Sequence, residues 1–296
     1  MIALTGGSGF VGGALVSKFG AENVITIGRT PAGASVHITA DLAQMGAKAL
    51  ADALRPHEVT CFVHAAGVTP WANDVDFSQD LSMAEAVAGA CDALRIPRLL
   101  YMSGWVVYDL SAPAPYTEET PAKPRVPYGE SKLAVEAYLA AHLKTTQALS
   151  LRAATIYGPG QTSPGLIPNL VGRALQGEVL QLNAKTTRRD YLYIDDAAGA
   201  IAELAQLELP PDLHVLNIGS GTSLAVGEVA EAVQAAASAM GKTTGITYAA
   251  ELTEAAPADN QLAIGAAQKL GLLQRQTPFA DGLHAYMKWR SDAGIL

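Results

Sequence analysis

Short apolar runs and amphipathic stretches take turns along the first half of this chain. Met1-Ile2-Ala3-Leu4 opens it, and residues 24–27, 59–63, 99–102 and 148–151 repeat the pattern. Apolar runs this short read as strands buried on both faces. Between them, residues 10–19, 42–54, 81–94 and 128–143 carry apolar positions at helical spacing. Strand and helix in alternation predict an α/β fold, a doubly wound parallel sheet with helices on both faces. Such a sheet binds ligands at the carboxyl ends of its strands, near the topological switch. Beyond Gly158 the regularity loosens around Gly158-Pro159-Gly160 and Ser163-Pro164-Gly165. The pattern predicts a first domain over 1–157, to which some later segments return. A smaller α/β part over 158–296 would hold helices near 166–176, 226–240 and 279–290.

The first turn after the first strand adds chemistry. Thr5-Gly6-Gly7-Ser8-Gly9-Phe10-Val11-Gly12 places Gly6, Gly9 and Gly12 between a strand and a helix. Glycines permit a tight turn and let backbone N–H groups approach a pyrophosphate, and a helix N-terminus favours negative charge. The loop points to a Rossmann-type dinucleotide site, with Phe10 and Val11 opening the helix against it. The next strand ends in Gly28-Arg29 with no carboxylate to accept from ribose hydroxyls. A small residue followed by a cation suits a 2′-phosphate, which favours NADP over NAD. Asp41-Leu42 can accept from the adenine amino group, or Asp41 can simply cap a helix starting at Leu42. His64-Ala65-Ala66-Gly67 closes a later strand, with small side chains that let a cofactor lie against the backbone.

Pro127-Tyr128-Gly129-Glu130-Ser131-Lys132 sets Tyr128 and Lys132 four apart at the start of a helix, on one face. An ammonium beside a phenol stabilises phenolate and lowers the tyrosine pKa from about 10. Tyr128 could then pass a proton to or from a carbonyl or alcohol oxygen while hydride moves to or from nicotinamide. Lys132 would also reach the nicotinamide ribose.

Bulk properties narrow the class. The chain has 296 residues, 49% of them apolar and 16% charged, enough for a sizeable core. A net charge of −8, with no basic cluster longer than Arg188-Arg189, argues against a nucleic-acid partner. Cys61 and Cys91 fall in apolar runs and read as buried free thiols of a reducing compartment. The six histidines show no metal-ligand spacing, so no metal is expected. With neither a signal peptide nor an apolar stretch of membrane-spanning length, a cytoplasmic protein is expected.

Together these motifs resemble the extended short-chain dehydrogenase/reductase family, in its NAD-dependent epimerase/dehydratase group acting on sugar nucleotides. The resemblance runs along nearly the whole chain: TGGSGFVG, HAAG, YMSGWVVY, PYGESK, Leu151-Arg152 through Tyr157-Gly158-Pro159-Gly160, Arg189-Asp190-Tyr191 with Asp195-Asp196, and Asn217-Ile218-Gly219-Ser220-Gly221. It implies a dinucleotide-binding first domain, a second domain for a nucleotide-linked sugar, and often a homodimer. It also implies Tyr128 as acid/base, Lys132 as its electrostatic support, and Arg189 on the diphosphate or base of the substrate.

Three positions depart from the family pattern. Aligning Val107-Tyr108 with the family's V-Y puts Ser103 on the first of two small hydroxyl positions and Gly104 on the second, which normally polarises the substrate oxygen. Ser103 is the catalytic candidate through a local shift; otherwise substrate and water replace the missing group. Asp80 stands where the family often has a structural Asn, and Thr155 where an Asn often contacts the diphosphate. The expected function is hydride transfer at a ring carbinol or ketone of a nucleotide sugar, by an epimerase or a ketoreductase. The alternatives are an NADPH-dependent reductase of a non-sugar carbonyl and a non-catalytic NADP sensor.

Overall fold

A computed structural model describes residues 1–71, 75–251, 253 and 258–295. The elements run β1 (Ile2–Thr5), α1 (Phe10–Phe19), β2 (Val24–Gly28), β3 (Val36–Thr39), α2 (Ala47–Leu54), β4 (Cys61–His64), α3 (Ser78–Leu94), β5 (Arg98–Gly104) and α4 (Pro127–His142). They continue with β6 (Gln147–Ala153), β7 (Thr155–Tyr157), α5 (Leu166–Leu175), β8 (Leu180–Leu182), β9 (Arg188–Arg189), β10 (Tyr191–Tyr193), α6 (Ile194–Leu204) and β11 (Val215–Ile218). The last are β12 (Leu224–Ala225), α7 (Val226–Ala239), β13 (Ile246–Tyr248), α8 (Gly265–Lys269) and α9 (Phe279–Asp292).

The chain divides into two compact units. The first comprises Met1–Asp109, Thr120–Ala153 and Ala198–Ile218. Its seven-stranded sheet has the order β11-β6-β5-β4-β1-β2-β3, parallel throughout. This is the doubly wound Rossmann-type arrangement, whose order reverses direction at β1. One face of the sheet, with Ala3, Ile25, Phe62, Leu99 and Tyr101, is covered by Leu50 and Leu54 of α2, Val87 and Cys91 of α3, and Val135 and Leu139 of α4. Cys61 and Cys91 are free and buried, and burial pushes both thiols up, Cys61 to about 12.

The second unit comprises Leu110–Glu119, Ala154–Ala197 and Gly219–Leu296. Among its described residues it holds three two-stranded sheets, β7 with β10, β8 with β13 and β9 with β12. The rings of Tyr157, Tyr191, Tyr193 and Phe279 pack against one another within it. Gly282 on α9 lets these rings approach, since a Cβ there would come within 2.6 Å of the Tyr157 hydroxyl.

The elements that were predicted lie within a few residues of their places, apart from one late helix start; α6, α8, the short strands of the second unit and one strand of the large sheet fall outside the predicted set. The helix predicted over 42–54 begins only at Ala47. Asp41 therefore caps no helix; its Oδ1 accepts the Ala43 N–H at 3.2 Å in a turn whose next residue, Leu42, is buried. The seventh strand, β11, was not among the predicted strands. Asn217 interrupts its apolar run, and the structure shows why that is tolerated: the buried Asn217 accepts the Tyr108 hydroxyl at 2.6 Å.

Candidate cofactor and proton-transfer site

The glycine loop links β1 to α1 under tight steric limits. Gly6 has φ +74, and a Cβ there would lie 2.7 Å from the backbone of Ala65 and Ala66. At Gly12 a Cβ would run into the Gly6 carbonyl, so α1 can pass this close only without a side chain. Gly9 is the N-cap of α1 and offers no side-chain cap, and the first turn holds no acidic residue. The N–H groups around Phe10, Val11 and Gly12 are thereby left to whatever anion approaches.

The segment after β4 closes on the same loop. His64 is buried, its Nδ1 2.7 Å from Thr5 Oγ1, and that oxygen accepts the Ala66 N–H at 3.2 Å. Burial first, and then the charge of Lys132, hold the imidazole down at about 3. His64 thus ties two strand ends together, while Ala65, Ala66 and Gly67 supply backbone beside Gly6. Arg29 and Thr30 follow β2 as exposed residues, and Asp41 is exposed after β3.

Tyr128 and Lys132 occupy the first turns of α4, where Pro127 opens the helix after an extended Val126. Lys132 is buried; its Nζ donates to the Met102 carbonyl at 3.1 Å and lies 5.5 Å from the Tyr128 ring centre and 5.1 Å from that of Tyr101. Burial lowers the ammonium, and Asp80 and Glu136 oppose that shift. The expected lowering of Tyr128 is not found. Burial, followed by the negative charge of Asp80, pushes the phenol up to about 12.

Asp80 was singled out only as a departure. It stands at i, i+4, i+7 and i+11 with Ala84, Val87 and Cys91, a carboxylate on the buried face of α3, and that pattern was the available signal. Its Oδ1 accepts the Val68 N–H and its Oδ2 the Ser131 hydroxyl, each at 2.7 Å. A Cβ on Gly67 would sit 3.1 Å from Lys132 Nζ and 3.4 Å from Asp80 Oδ1, so glycine leaves room for both groups.

Ser103, at the end of β5, is buried and donates to Glu136 Oε1 at 2.5 Å. Glu136 is held in turn by Arg152, a pairing between residues on α4 and β6 that sequence spacing does not reveal. Gly104 is extended, at φ −160 and ψ 164, and a Cβ there would meet nothing closer than the Ala153 carbonyl at 3.8 Å.

Thr155 and Arg189 belong to the second unit and are brought near one another. The Thr155 N–H donates to the Asp190 carbonyl at 3.0 Å, and Thr155 pairs in register with Tyr191. Arg189 Nη1 donates to the Arg188 carbonyl at 2.7 Å. Asp190 is fully buried and accepts from the Ser220 N–H and hydroxyl, both at 2.8 Å, and from the Leu262 N–H. Arg188 pairs with Glu228 at 3.1 Å, and the Asp259 carboxylate acts on both adjacent arginines. A cavity of about 360 Å3 in this unit, with Tyr191, Ser220, Gln276 and Phe279 in its wall, includes neither Thr155 nor Arg189. Among the described residues no group of three or more His, Cys, Asp or Glu side chains could hold a metal ion, and no helix is long and apolar enough to cross a membrane.

The parallel sheet, the strand-to-helix glycine loop and the tyrosine–lysine helix define a nicotinamide-dinucleotide enzyme class. The chain belongs to the NAD dependent epimerase/dehydratase family, whose pattern matches residues 2–219. It is 30% identical to a dTDP-4-dehydro-6-deoxyglucose reductase of Escherichia coli, over 45% of this chain and 43% of that protein. It is 26% identical to the UDP-glucose 4-epimerase of Yersinia pestis, over 73% and 71% of the two chains. Among solved structures, MoeE5 in complex with UDP-glucuronic acid and NAD superposes with a TM-score of 0.83 at 26% identity, covering 99% of both chains.

Proposed function

We propose that this enzyme transfers hydride at a ring carbinol or ketone of a nucleotide-linked sugar, with Tyr128 as acid/base and Lys132 as its electrostatic support. The observation that carries the reading is the burial of Lys132 beside the Tyr101 and Tyr128 rings, with its Nζ 3.1 Å from where a Cβ on Gly67 would lie. The glycine positions fit a dinucleotide: without side chains, Gly6 and Gly12 let the loop, the Ala65-Ala66 backbone and α1 approach closely, under an uncapped helix start. A bound nicotinamide dinucleotide would supply the hydride acceptor or donor. Phe10, Val11 and Ala65 to Gly67 line its approach, and Lys132 reaches its ribose. His64 supports from behind, and Leu42 anchors the turn that presents Asp41.

Arg29 after a bare Gly28 supports NADP as the preferred form. NAD in the MoeE5 complex is the opposing consideration. Thr155 and Arg189 are assigned to the substrate diphosphate, for which the guanidinium fork is suited. Ser103 enters as a strand-end support, because its hydroxyl is held by Glu136.

The test begins with mass spectrometry of any nucleotide released by denaturing the purified protein, then titration of the emptied protein with NADPH and NADH. Tighter NADPH binding supports the Arg29 assignment; retained NAD overturns it. Conversion of UDP- or dTDP-linked sugars and 4-keto-sugars is then followed in wild type and Tyr128→Phe. A rate unchanged in Tyr128→Phe would remove Tyr128 from the chemistry. Reduction of non-sugar carbonyls alone would remove the sugar-nucleotide assignment.

A further inference from the structure

We propose that Asp80 is a positioning residue for proton transfer: its carboxylate is the counter-anion of the buried Lys132 ammonium and sets Tyr128 as the proton donor in the free site. This rests on the reading of Tyr128 and Lys132 as the acid/base pair. Asp80 is 2% exposed and fixed from two directions, by the Val68 N–H on Oδ1 and the Ser131 hydroxyl on Oδ2. A Cβ on Gly67 would lie 3.1 Å from Lys132 Nζ and 3.4 Å from Asp80 Oδ1, so the cation and the anion flank the same small gap, and the anion acts on the ammonium through space and not through a direct ion pair.

The other titratable groups around the pair are accounted for. On α4 itself, Glu136 also favours the Lys132 ammonium, more weakly than Asp80, while its carboxylate is bonded to Arg152. From β4, His64 is neutral, and from β5, Tyr101 is a buried phenol raised well above its usual range, chiefly by burial. Asp80 on α3 is the anion that bears on both members of the pair. It favours the charged ammonium that burial disfavours, and it disfavours the phenolate that the ammonium would otherwise stabilise. A lysine without this partner would tend to shed its proton; a tyrosine without it would ionise more readily. The consequence is directional, since a site resting with a protonated tyrosine is set to protonate an alkoxide, the step that completes reduction of a ketone.

The test needs neither substrate nor cofactor, so it stands apart from the proposed reaction. Phenolate formation by Tyr128 is isolated as the ultraviolet titration of the protein minus that of Tyr128→Phe. The measurement is repeated in the Asp80→Asn background, where the amide keeps an acceptor for Val68 and a polar partner for Ser131. The Tyr128 midpoint is expected to fall by about one pH unit or more, about tenfold in ionisation. An unchanged or higher midpoint in a folded Asp80→Asn protein overturns the proposal. If that variant does not fold, Asp80→Ser removes the same charge and carries the same expectation. Lys132→Met gives the opposite sign: with the anion left alone, the midpoint should rise, and a fall there overturns the proposal as well. Should Tyr128→Phe leave turnover untouched, the proposed function fails while the titration result remains interpretable.

Discussion

The Ser103 hydroxyl lies 2.5 Å from Glu136 Oε1, and the other oxygen of that carboxylate receives Arg152 Nη2 at 2.7 Å. All three side chains are buried, on three neighbouring elements of the first unit. The Arg152 guanidinium also stacks over the Tyr108 ring, 4.6 Å from its centre, and Tyr108 passes its hydroxyl to Asn217. A serine at a strand end thus becomes one terminus of a polar chain crossing β5, α4, β6 and β11. Every added link commits Ser103 more firmly to structure.

Ser103→Ala should therefore cost stability before it costs rate. A hydrogen bond to a charged group is worth about 1.5–3 kcal/mol, and that is the loss expected from denaturant unfolding. Turnover should change less than about tenfold, whereas losing a donor to the reacting oxygen costs about 10²–10³ in kcat. A hundredfold fall in kcat with unchanged stability would return Ser103 to the substrate.

Gly104→Ser asks the complementary question. Gly104 is extended and the space beside it is open, so the backbone does not require glycine. The variant should fold as well as wild type, or better by about 0.4–1 kcal/mol from the stiffer unfolded chain. If the second hydroxyl of the family motif is what this chain lacks, kcat/KM on the proposed sugar-nucleotide substrates should rise about tenfold or more. No gain in a well-folded Gly104→Ser protein would mean that catalysis here needs no hydroxyl at this strand end.

What could be read in the sequence depended on how far apart the partners lie. Gly6, Gly9 and Gly12 fall within one turn of chain, and Tyr128 and Lys132 within one turn of helix, so spacing alone brought them together. The doubly wound sheet was legible for the same reason, as its central strands are contiguous apolar runs; β11, broken by Asn217, was not. Asp80 meets Ser131 across 51 residues and Ser103 meets Glu136 across 33, and no local pattern connects such pairs. The effect on Tyr128 had the wrong sign because the neighbouring cation was visible in sequence, while the burial and the anion opposing it were not. Of the two readings of Asp41, the helix cap fails: an acidic residue before an apolar stretch signals a cap, yet here the helix starts at Ala47 and the carboxylate serves a turn.

His64 makes acid stability a measurable property of the same strand ends. Its imidazole is held neutral, falling from an ordinary 6.5 to about 3, mainly by burial. Because the folded pKa is depressed, the unfolded chain binds more protons between those two values, and stability drops as pH falls from 6.5 toward 3. With 1.36 kcal/mol per pH unit, this one group should remove about 3 kcal/mol between pH 7 and pH 4. Urea unfolding across that range checks it against His64→Gln, which cannot titrate. The variant should be less stable at pH 7 and lose less on acidification; parallel curves would place the acid sensitivity elsewhere.

Two adjacent glycines in α1 should respond in opposite ways to the same added methyl. At Gly12 a Cβ would press on the Gly6 carbonyl and come within 2.8 Å of the Gly7 Cα, both parts of the backbone that forms the glycine loop. Nothing there can rotate away, so Gly12→Ala must push α1 off the loop, at a cost of about 1–3 kcal/mol for overpacking. The displaced helix start would no longer present its free N–H groups, and NADH and NADPH binding should weaken together, by about tenfold or more for a loss above 1.4 kcal/mol. At Gly13 a Cβ would meet only the Gly7 carbonyl, at an ordinary 3.7 Å. There alanine should stabilise the helix by about 0.5–1 kcal/mol and leave both cofactor affinities in place. Thermal unfolding and fluorescence titration of the two variants side by side check the pair. Equal losses of binding in both would mean that the cofactor depends on the flexibility of this segment, and not on how closely α1 passes Gly6.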